Sequence, residues 1–574
     1  MAVETDRQID KKNAGSTDNR YDRWLKEAAS FEKKWRKRNN ENYNFYDGEQ
    51  WTPEEEQTIE ERGQQAAVLN VIRPTIDMIL ALEHQQRADL QVIGRDVEDD
   101  AMAGLLTDLL KQTYQFNDFD YYLNRVFGNA GIGGRGAVQV DVEKIDGQKQ
   151  VTVNQLPWED VFVDPYSKKP DGSDARYIMK RIWMDRDFAK QKWPAKADEI
   201  EQITQDYLED DEYKGQEYEA DLTAPDRGNL YYDHNSDRIA VYECWYKDSD
   251  KKVHFVTFFE TIFLVGEPGG ENPSPFKHNQ YPIILCFAFR NKKGEPKGLV
   301  EYLIKMQITL NKLNSKYLWN MSANRLIIED DAADDLSLLR QEWSRPDGMP
   351  VLNSGGLNKI KLEENLRESS YLAQHMQFIL QMIQRVSGVN DSLLGFGGVN
   401  ERSAQQQQGR MIQGATLQTQ LLENLRFTKR HVAKVVLLTI GETYTDERVV
   451  RIANPDGTGS YIALNQPGVD IEGNKTILNN IKDILRYDVV LSPVAPFDTS
   501  RQLMMQVFSE VAKGGVFPPE WTAQILLQLS NMPNKADLLN QLRQYLNPSV
   551  NPAVAGNQEG ASGLPPQENI APQV

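Results

Sequence analysis

Apolar residues recur at three- and four-residue steps through the first part of the chain. Trp24, Phe31 and Trp35 predict an amphipathic helix over 21–45. A second helix is expected over 74–86, with Pro74 at its start, where proline is tolerated. A third is expected over 99–114, carrying Met102, Leu105, Leu106 and Leu109. The period then shortens to two. Val138, Val140 and Val142 share one face of a strand over 137–143, and Val151 and Val153 resume the alternation after Asp146-Gly147, a hairpin turn pair. Further strands are expected over 176–183, 238–246, 252–259 and 281–289, with the acidic stretch 206–237 as a surface excursion. This middle section is a mostly antiparallel α+β body, not a βαβ array.

After residue 298 the helical period returns. Leu303, Met306, Leu310, Leu313 and Tyr317 mark one helix over 298–323, and Leu372, Met376, Ile379, Ile383 and Val386 mark another over 370–386. Their 3.5-residue spacing lets one stripe face neighbouring helices over its whole length. Between them lie an acidic stretch at 329–335, Pro346-Asp347-Gly348, and strand-like pieces at 325–328 and 357–362. A stalk with a tip and a helical hairpin inside a globular core both satisfy this pattern. A glycine-rich loop over 388–400 follows, then a helix over 403–443. That helix begins polar all round at Gln405–Gln408 and gains a stripe at Leu417, Leu421 and Leu425. Short strands at 447–452 and 487–491 precede a helical module over 500–546. The first twenty residues and the Pro/Gly/Gln-rich tail after Asn547 read as disordered.

Composition adds limits. At 574 residues, 40% hydrophobic and 26% charged, the chain has room for several domains of ordinary globular character. It has no apolar run of bilayer length, and its polar start lacks the core of a secretory signal, so residence in a cytosol or in something assembled there is expected. Cys244 and Cys286 sit in apolar strand-like runs and read as buried free thiols. The formal charge of −19 is the opposite of a phosphate-neutralising surface. The protein either never meets nucleic acid or meets DNA that must slide.

The search for chemistry comes back empty. Residues 131–136 spell Gly-x-Gly-x-x-Gly, but a helical stretch precedes them and a strand follows, the reverse of a dinucleotide site. In 468–476, Asn474 separates Gly473 from Lys475 and puts the amine out of register for a phosphate loop. Metalloprotease, serine-hydrolase and cysteine–histidine patterns are missing. Glu54-Glu55-Glu56 and Asp330-Asp331 read as solvated faces. No catalytic residue, cofactor or metal is expected.

Several stretches together resemble the portal proteins of short-tailed phages, closest to the P22-like portal family. They are 70–87, 131–142, 156–165, 281–298 and 387–426, the last joining Gly-Val-Asn to a glycine-rich loop and a Gln-rich helix. The resemblance covers roughly residues 21–546. It implies an α+β portal fold: a wing (21–297), a first stem helix (298–323), a small α/β clip (324–367) and a second stem helix (368–388). A tunnel loop (389–402), a long helix with wing return strands (403–499) and a helical crown (500–546) complete it, between the disordered segments 1–20 and 547–574. The helical barrel that follows the crown in a well-known relative does not fit in the residues after Asn547.

The implied function is a head-to-tail connector: a ring of twelve copies at one capsid vertex of the virion, assembled in the host cytoplasm. Double-stranded DNA is packaged through it by the terminase large subunit and later ejected. Other implied partners are a tail adaptor, the major capsid protein and the scaffolding protein, with no membrane and no enzymatic activity. Candidate DNA contacts are Lys305, Lys312 and Lys316, at i, i+7 and i+11 on one helix face, with Asn390, Asn400 and Arg402 in the loop. An ordinary solvated lysine face fits the three lysines as well. Leu393, Leu394 and Phe396 are expected to pack between subunits, and Asp330, Asp331, Asp334, Asp335, Arg340 and Arg345 to meet terminase or adaptor. An acidic scaffold or adaptor without DNA contact is the competing reading; a nuclease or packaging ATPase lacks its motifs.

Overall fold

The computed structural model describes residues 20–85, 90–94, 100–209, 230–233, 236–267, 270, 272–322, 325–343, 345, 347–363, 366–389, 418–453, 459–469, 475–478, 481, 487–491 and 508. Two compact units emerge: Met1–His84, Ala88–Val450 and Ala463–Ser492 form the first, and Gln85–Arg87, Arg451–Ile462 and Pro493–Val574 the second.

The first unit opens with helix α1 (Arg20–Asp47), which buries Tyr21, Leu25, Ala28 and Trp35 along one face. Helix α2 (Pro53–Glu61) buries nothing. It forms because Thr52 caps it by accepting the Glu55 N–H at 3.2 Å, and because three glutamates occupy its positive first turn. Helix α3 (Ile72–Gln85), strand β1 (Leu90–Gly94), and helices α4 (Asp100–Phe116) and α5 (Phe119–Gly133) follow. Strands β2 (Arg135–Ile145) and β3 (Gln148–Leu156) then pair with Val140 opposite Val153. Their turn places Asp146 and Gly147 at φ 51° and 80°, the left-handed conformations that the Asp-Gly pair accommodates.

The remaining elements of the body are β4 (Val161–Val163), β5 (Tyr177–Asp185), α6 (Arg186–Lys192), α7 (Ala197–Glu209), β6 (Tyr232–Asp233), β7 (Arg238–Lys247), β8 (Val253–Phe259), β9 (Ile262–Val265) and β10 (Ile283–Phe287). They form two antiparallel sheets, β4-β5-β7-β8-β9 with β6 beside β7, and β10-β2-β3. One core joins the start of α1 to the six-stranded sheet through Tyr21, Leu25, Tyr177, Tyr242 and Phe258. A second, with Ala137, Ile178, Trp245, Ile283 and Leu285, lies between the sheets. The expected excursion over 206–237 is shorter than the sequence suggested. Residues 206–209 finish α7, whose apolar face buries Ile200, and Tyr231 and Tyr232 are already back in the core. Residues 210–229 lie outside the described ones.

A short ribbon of β11 (Phe289–Arg290) and β12 (Pro296–Lys297) leads into helix α8 (Val300–Ser322). Strand β13 (Arg325–Ile328), helix α9 (Leu336–Trp343) and strand β14 (Ile360–Glu363) form an insert, and helix α10 (Leu366–Ser387) packs back along α8. The piece expected over 357–362 is a strand only from Ile360, because 356–359 form a helical turn. Helix α11 (Thr419–Thr443) buries Leu421 and Leu425; the earlier part of the expected 403–443 helix lies outside the described residues, as do 1–19 and, apart from Phe508, 492–574.

Strands β15 (Arg448–Ala453) and β16 (Gly459–Leu464) pair, and 451–453 and 459–462 belong to the second unit. Strands β17 (Gln466–Val469) and β18 (Lys475–Leu478) pair, and β19 (Tyr487–Leu491) pairs with β1, a partner the sequence did not suggest.

Candidate nucleic-acid interface

Helix α8 starts from a crowded junction. The Leu299 N–H donates to the Gly131 carbonyl at 2.7 Å, and a Cβ on Gly298 would lie 1.9 Å from the Ile132 oxygen. The glycine run across the end of α5 serves the same close packing. A Cβ on Gly133 would overlap the Asn39 amide, one on Gly136 would stand 2.2 Å from the Val126 oxygen, and Gly134 (φ 97°) caps α5. The glycines therefore face the carbonyl end of a helix, which disfavours a phosphate. Lys475 and Thr476 open a strand, β18, not a helix.

Beneath the junction, Glu32 accepts from two arginines. Arg36 binds it through Nε at 3.1 Å and Nη2 at 2.9 Å, while Arg135 binds both carboxylate oxygens. Both guanidinium groups also donate to the Val161 carbonyl at 2.7 Å and stack on Phe162 and Trp35. All three side chains are buried. Burial pushes Arg36 down to about 10.

The buried face of α8 differs from the expected stripe. Leu303 and Leu310 are fully buried, but Met306, Leu313 and Tyr317 are only half-buried. Gln307, Asn311 and Ser315 take the interior instead. They grip an extended strap, residues 65–71. The N–H groups of Ala67, Leu69 and Val71 donate to Ser315 Oγ, Asn311 Oδ1 and Gln307 Oε1 at 3.1, 3.1 and 3.2 Å. Gln307 Nε2 returns a bond to the Leu69 carbonyl at 2.7 Å, and Asn311 Nδ2 reaches Gln50 Oε1 at 2.6 Å. The signal for this ladder was the spacing of three polar residues at i, i+4 and i+8, beside the apolar stripe.

Lys305, Lys312 and Lys316 all point outward. They do not present equal charge. Lys312 pairs with Glu55 of α2 at 3.4 Å, and Lys316 with Glu368 of α10 at 2.6 Å. Lys305 has no carboxylate partner among the described residues.

In the insert, β13 and β14 pair with Arg325 opposite Glu363. Asp331 forms an ion pair with Lys359, which holds its carboxyl below the usual range. Asp334 accepts from Asn353 Nδ2 at 2.9 Å, and Asp335 caps α9 through the Ser337 hydroxyl and the Ser337 and Leu338 N–H groups, which lower its pKa. Arg345 lies 3.5 Å from Glu342 and 3.8 Å from Asp347; Asp330 and Arg340 are exposed. Met349, Val351 and Leu357 are each more than 80% exposed, an apolar surface the sequence did not single out.

The loop candidates Asn390, Leu393, Leu394, Phe396, Asn400 and Arg402 lie outside the described residues. The flanks of their segment are held together: Gly388 (φ 72°) ends α10, and the buried Gln418 side chain donates to the Ser387 carbonyl. Among the described residues no group of three or more His, Cys, Asp or Glu could hold a metal ion, and no helix is long and apolar enough to cross a membrane. Cys244 and Cys286 are buried and unpaired, with burial raising both thiols, Cys286 to about 11.

Comparison with known proteins accounts for this layout. The portal protein of Helicobacter pylori bacteriophage KHP30 is 22% identical over 429 residues, which are 73% of this chain and 66% of that protein, just under two thirds of its length. A family model described as phage P22-like portal protein matches residues 22–262 and 265–574. Matched over nearly its whole length, the chain belongs to the phage P22-like portal protein family.

Proposed function

We propose that the protein forms a ring-shaped channel at a single capsid vertex, through which viral double-stranded DNA is packaged by the terminase motor and later ejected. The observation that carries this reading is the family match across almost the entire chain. In this reading the α+β body is the wing, α8 and α10 are the stem, the insert between them is the clip, and α11 is the end of the long helix behind a tunnel loop. The clip, with Asp330, Asp331, Asp334, Asp335, Arg340 and Arg345, meets the terminase large subunit and then the tail adaptor. The major capsid protein and the scaffolding protein are further partners. Asn390, Asn400 and Arg402 touch the DNA backbone, while Leu393, Leu394 and Phe396 pack between subunits.

Charge supports a conduit that does not grip. About a dozen copies at −19 each would surround the polyanion with a charge on the order of −200, a wall that opposes tight binding. The lysine row of α8 fits brief footholds, since two of its three cations are already paired with carboxylates. The chain itself performs no catalysis.

Negative-stain imaging of the purified protein tests the proposal. Rings with a central hole of duplex width are expected. A monodisperse monomer under all conditions would overturn it, and rings without such a hole would favour the scaffold or adaptor reading.

A further inference from the structure

Two of the six histidines fasten one segment, one at each end. His254, on β8, directs Nδ1 at the Asn272 carbonyl, 3.0 Å away, and Nε2 at an Asp248 carboxylate oxygen, 2.9 Å away. Both partners are acceptors, so the ring bridges the two through its N–H side. Asp248 lies in the turn between β7 and β8, and its other oxygen takes the N–H groups of Asp250 and Lys252. Its burial raises the carboxyl, but the bonds from His254 and Lys252 outweigh that and hold it below the usual range. Tyr246 stacks on the His254 ring at 5.3 Å.

At the other end, the partners of His278 fix its protonation state. Its Nδ1 accepts the Gln280 N–H at 3.1 Å. Its Nε2 lies 3.3 Å from Thr439 Oγ1 on α11, and that hydroxyl gives its own proton to the Val435 carbonyl at 2.8 Å. The hydroxyl can then only accept, which fixes the neutral ring with its proton on Nε2. A second proton would aim Nδ1–H at the Gln280 N–H. The charged groups beside it are Lys277 and Glu442, joined by the Lys277 N–H donating to Glu442 Oε2 at 2.7 Å. Burial pushes His278 down to about 4.

The segment between these rings, 272–280, links the six-stranded sheet to β10 and touches the end of α11. Phe276 stacks on His278 at 5.3 Å and on Trp245 at 5.9 Å, so opening the segment would uncover core aromatics. We infer that 272–280 is a proton-linked clasp, fastened at one end by the His254 bridge between Asp248 and Asn272 and at the other by a neutral His278. It opens below an acid limit set by His278.

The sign follows from proton counting. Below the ordinary histidine value of about 6.5, the opened segment takes up a proton that the closed one refuses until about pH 4, so opening grows as pH falls through that window. Asp248 stays charged across the acid window and keeps its end fastened.

Hydrogen–deuterium exchange of the full-length protein, pulsed with intrinsic rates corrected, tests the clasp in peptides covering 272–281. Protection should hold near neutral pH and fall below the ordinary histidine value, by roughly tenfold per pH unit for one linked proton. His278→Gln should flatten that fall, and His254→Gln should loosen the segment but keep the fall. The shape of the profile is the readout, so a general loosening in either variant does not mimic the result. Protection that is flat with pH in the unaltered protein, or a His278→Gln variant that keeps the acid fall, would overturn the inference.

Discussion

Glu32 is the residue on which the junction between α1, β2 and β4 turns, because two buried guanidinium groups share its one carboxylate. Removing a partner from a buried ion network strands the remaining charge. Glu32→Gln should therefore destabilise the protein by about 3–5 kcal/mol in denaturant unfolding, against less than about 1 kcal/mol for an exposed glutamate such as Glu56. This network was not legible in the sequence. Arg36 sits inside the run Lys33-Lys34-Trp35-Arg36-Lys37-Arg38, which reads as a solvated basic patch. Only its helical phase, with Leu25, Glu32 and Trp35, marks it as interior. The buried thiols of Cys244 and Cys286 were legible, since each lies among apolar strand neighbours. The conformation at Asp146-Gly147 was legible for a stronger reason: few other pairs tolerate two successive left-handed residues.

Among the elements, the long periodic ones followed from the pattern and the short or polar ones did not. The helices α1, α8 and α10 and the hairpin β2–β3 repeat their signal often enough to be read within a few residues. Helix α2 carries no apolar face at all, and β1 finds its partner nearly four hundred residues away in β19, where no local rule reaches. Hydrophobicity alone does not find the polar buried face of α8. Amides at four-residue spacing can be interior when an extended backbone needs partners. Asn311→Leu removes the acceptor of the Leu69 N–H and the donor to Gln50 while keeping the volume. It should cost roughly 1–3 kcal/mol for each group left unpaired. Amide exchange across 65–71 should rise with it, and unchanged exchange there would show that the strap is held by something else.

For the whole molecule, the proposed channel predicts that the lysine row of α8 bears on passage more than on assembly. Replacing Lys305, Lys312 and Lys316 by Glu should reduce DNA filling or retention in assembled heads while rings still form. Lys305→Glu alone should give most of that loss, since Lys312 and Lys316 already meet Glu55 and Glu368. Heads that fill and hold DNA normally would mean that the row faces away from the channel. The side-chain ladder sets a length scale for any rearrangement of these parts. Each rung advances four residues on the helix, about 6.0 Å, but two residues on the strap, about 6.7 Å. The two scales slide out of step by about 0.7 Å per rung, like a vernier. A longer ladder would soon lose contact, and this one has three backbone rungs. If the strap ever moves along α8, it must jump by a whole rung, because intermediate positions leave every rung unmatched at once.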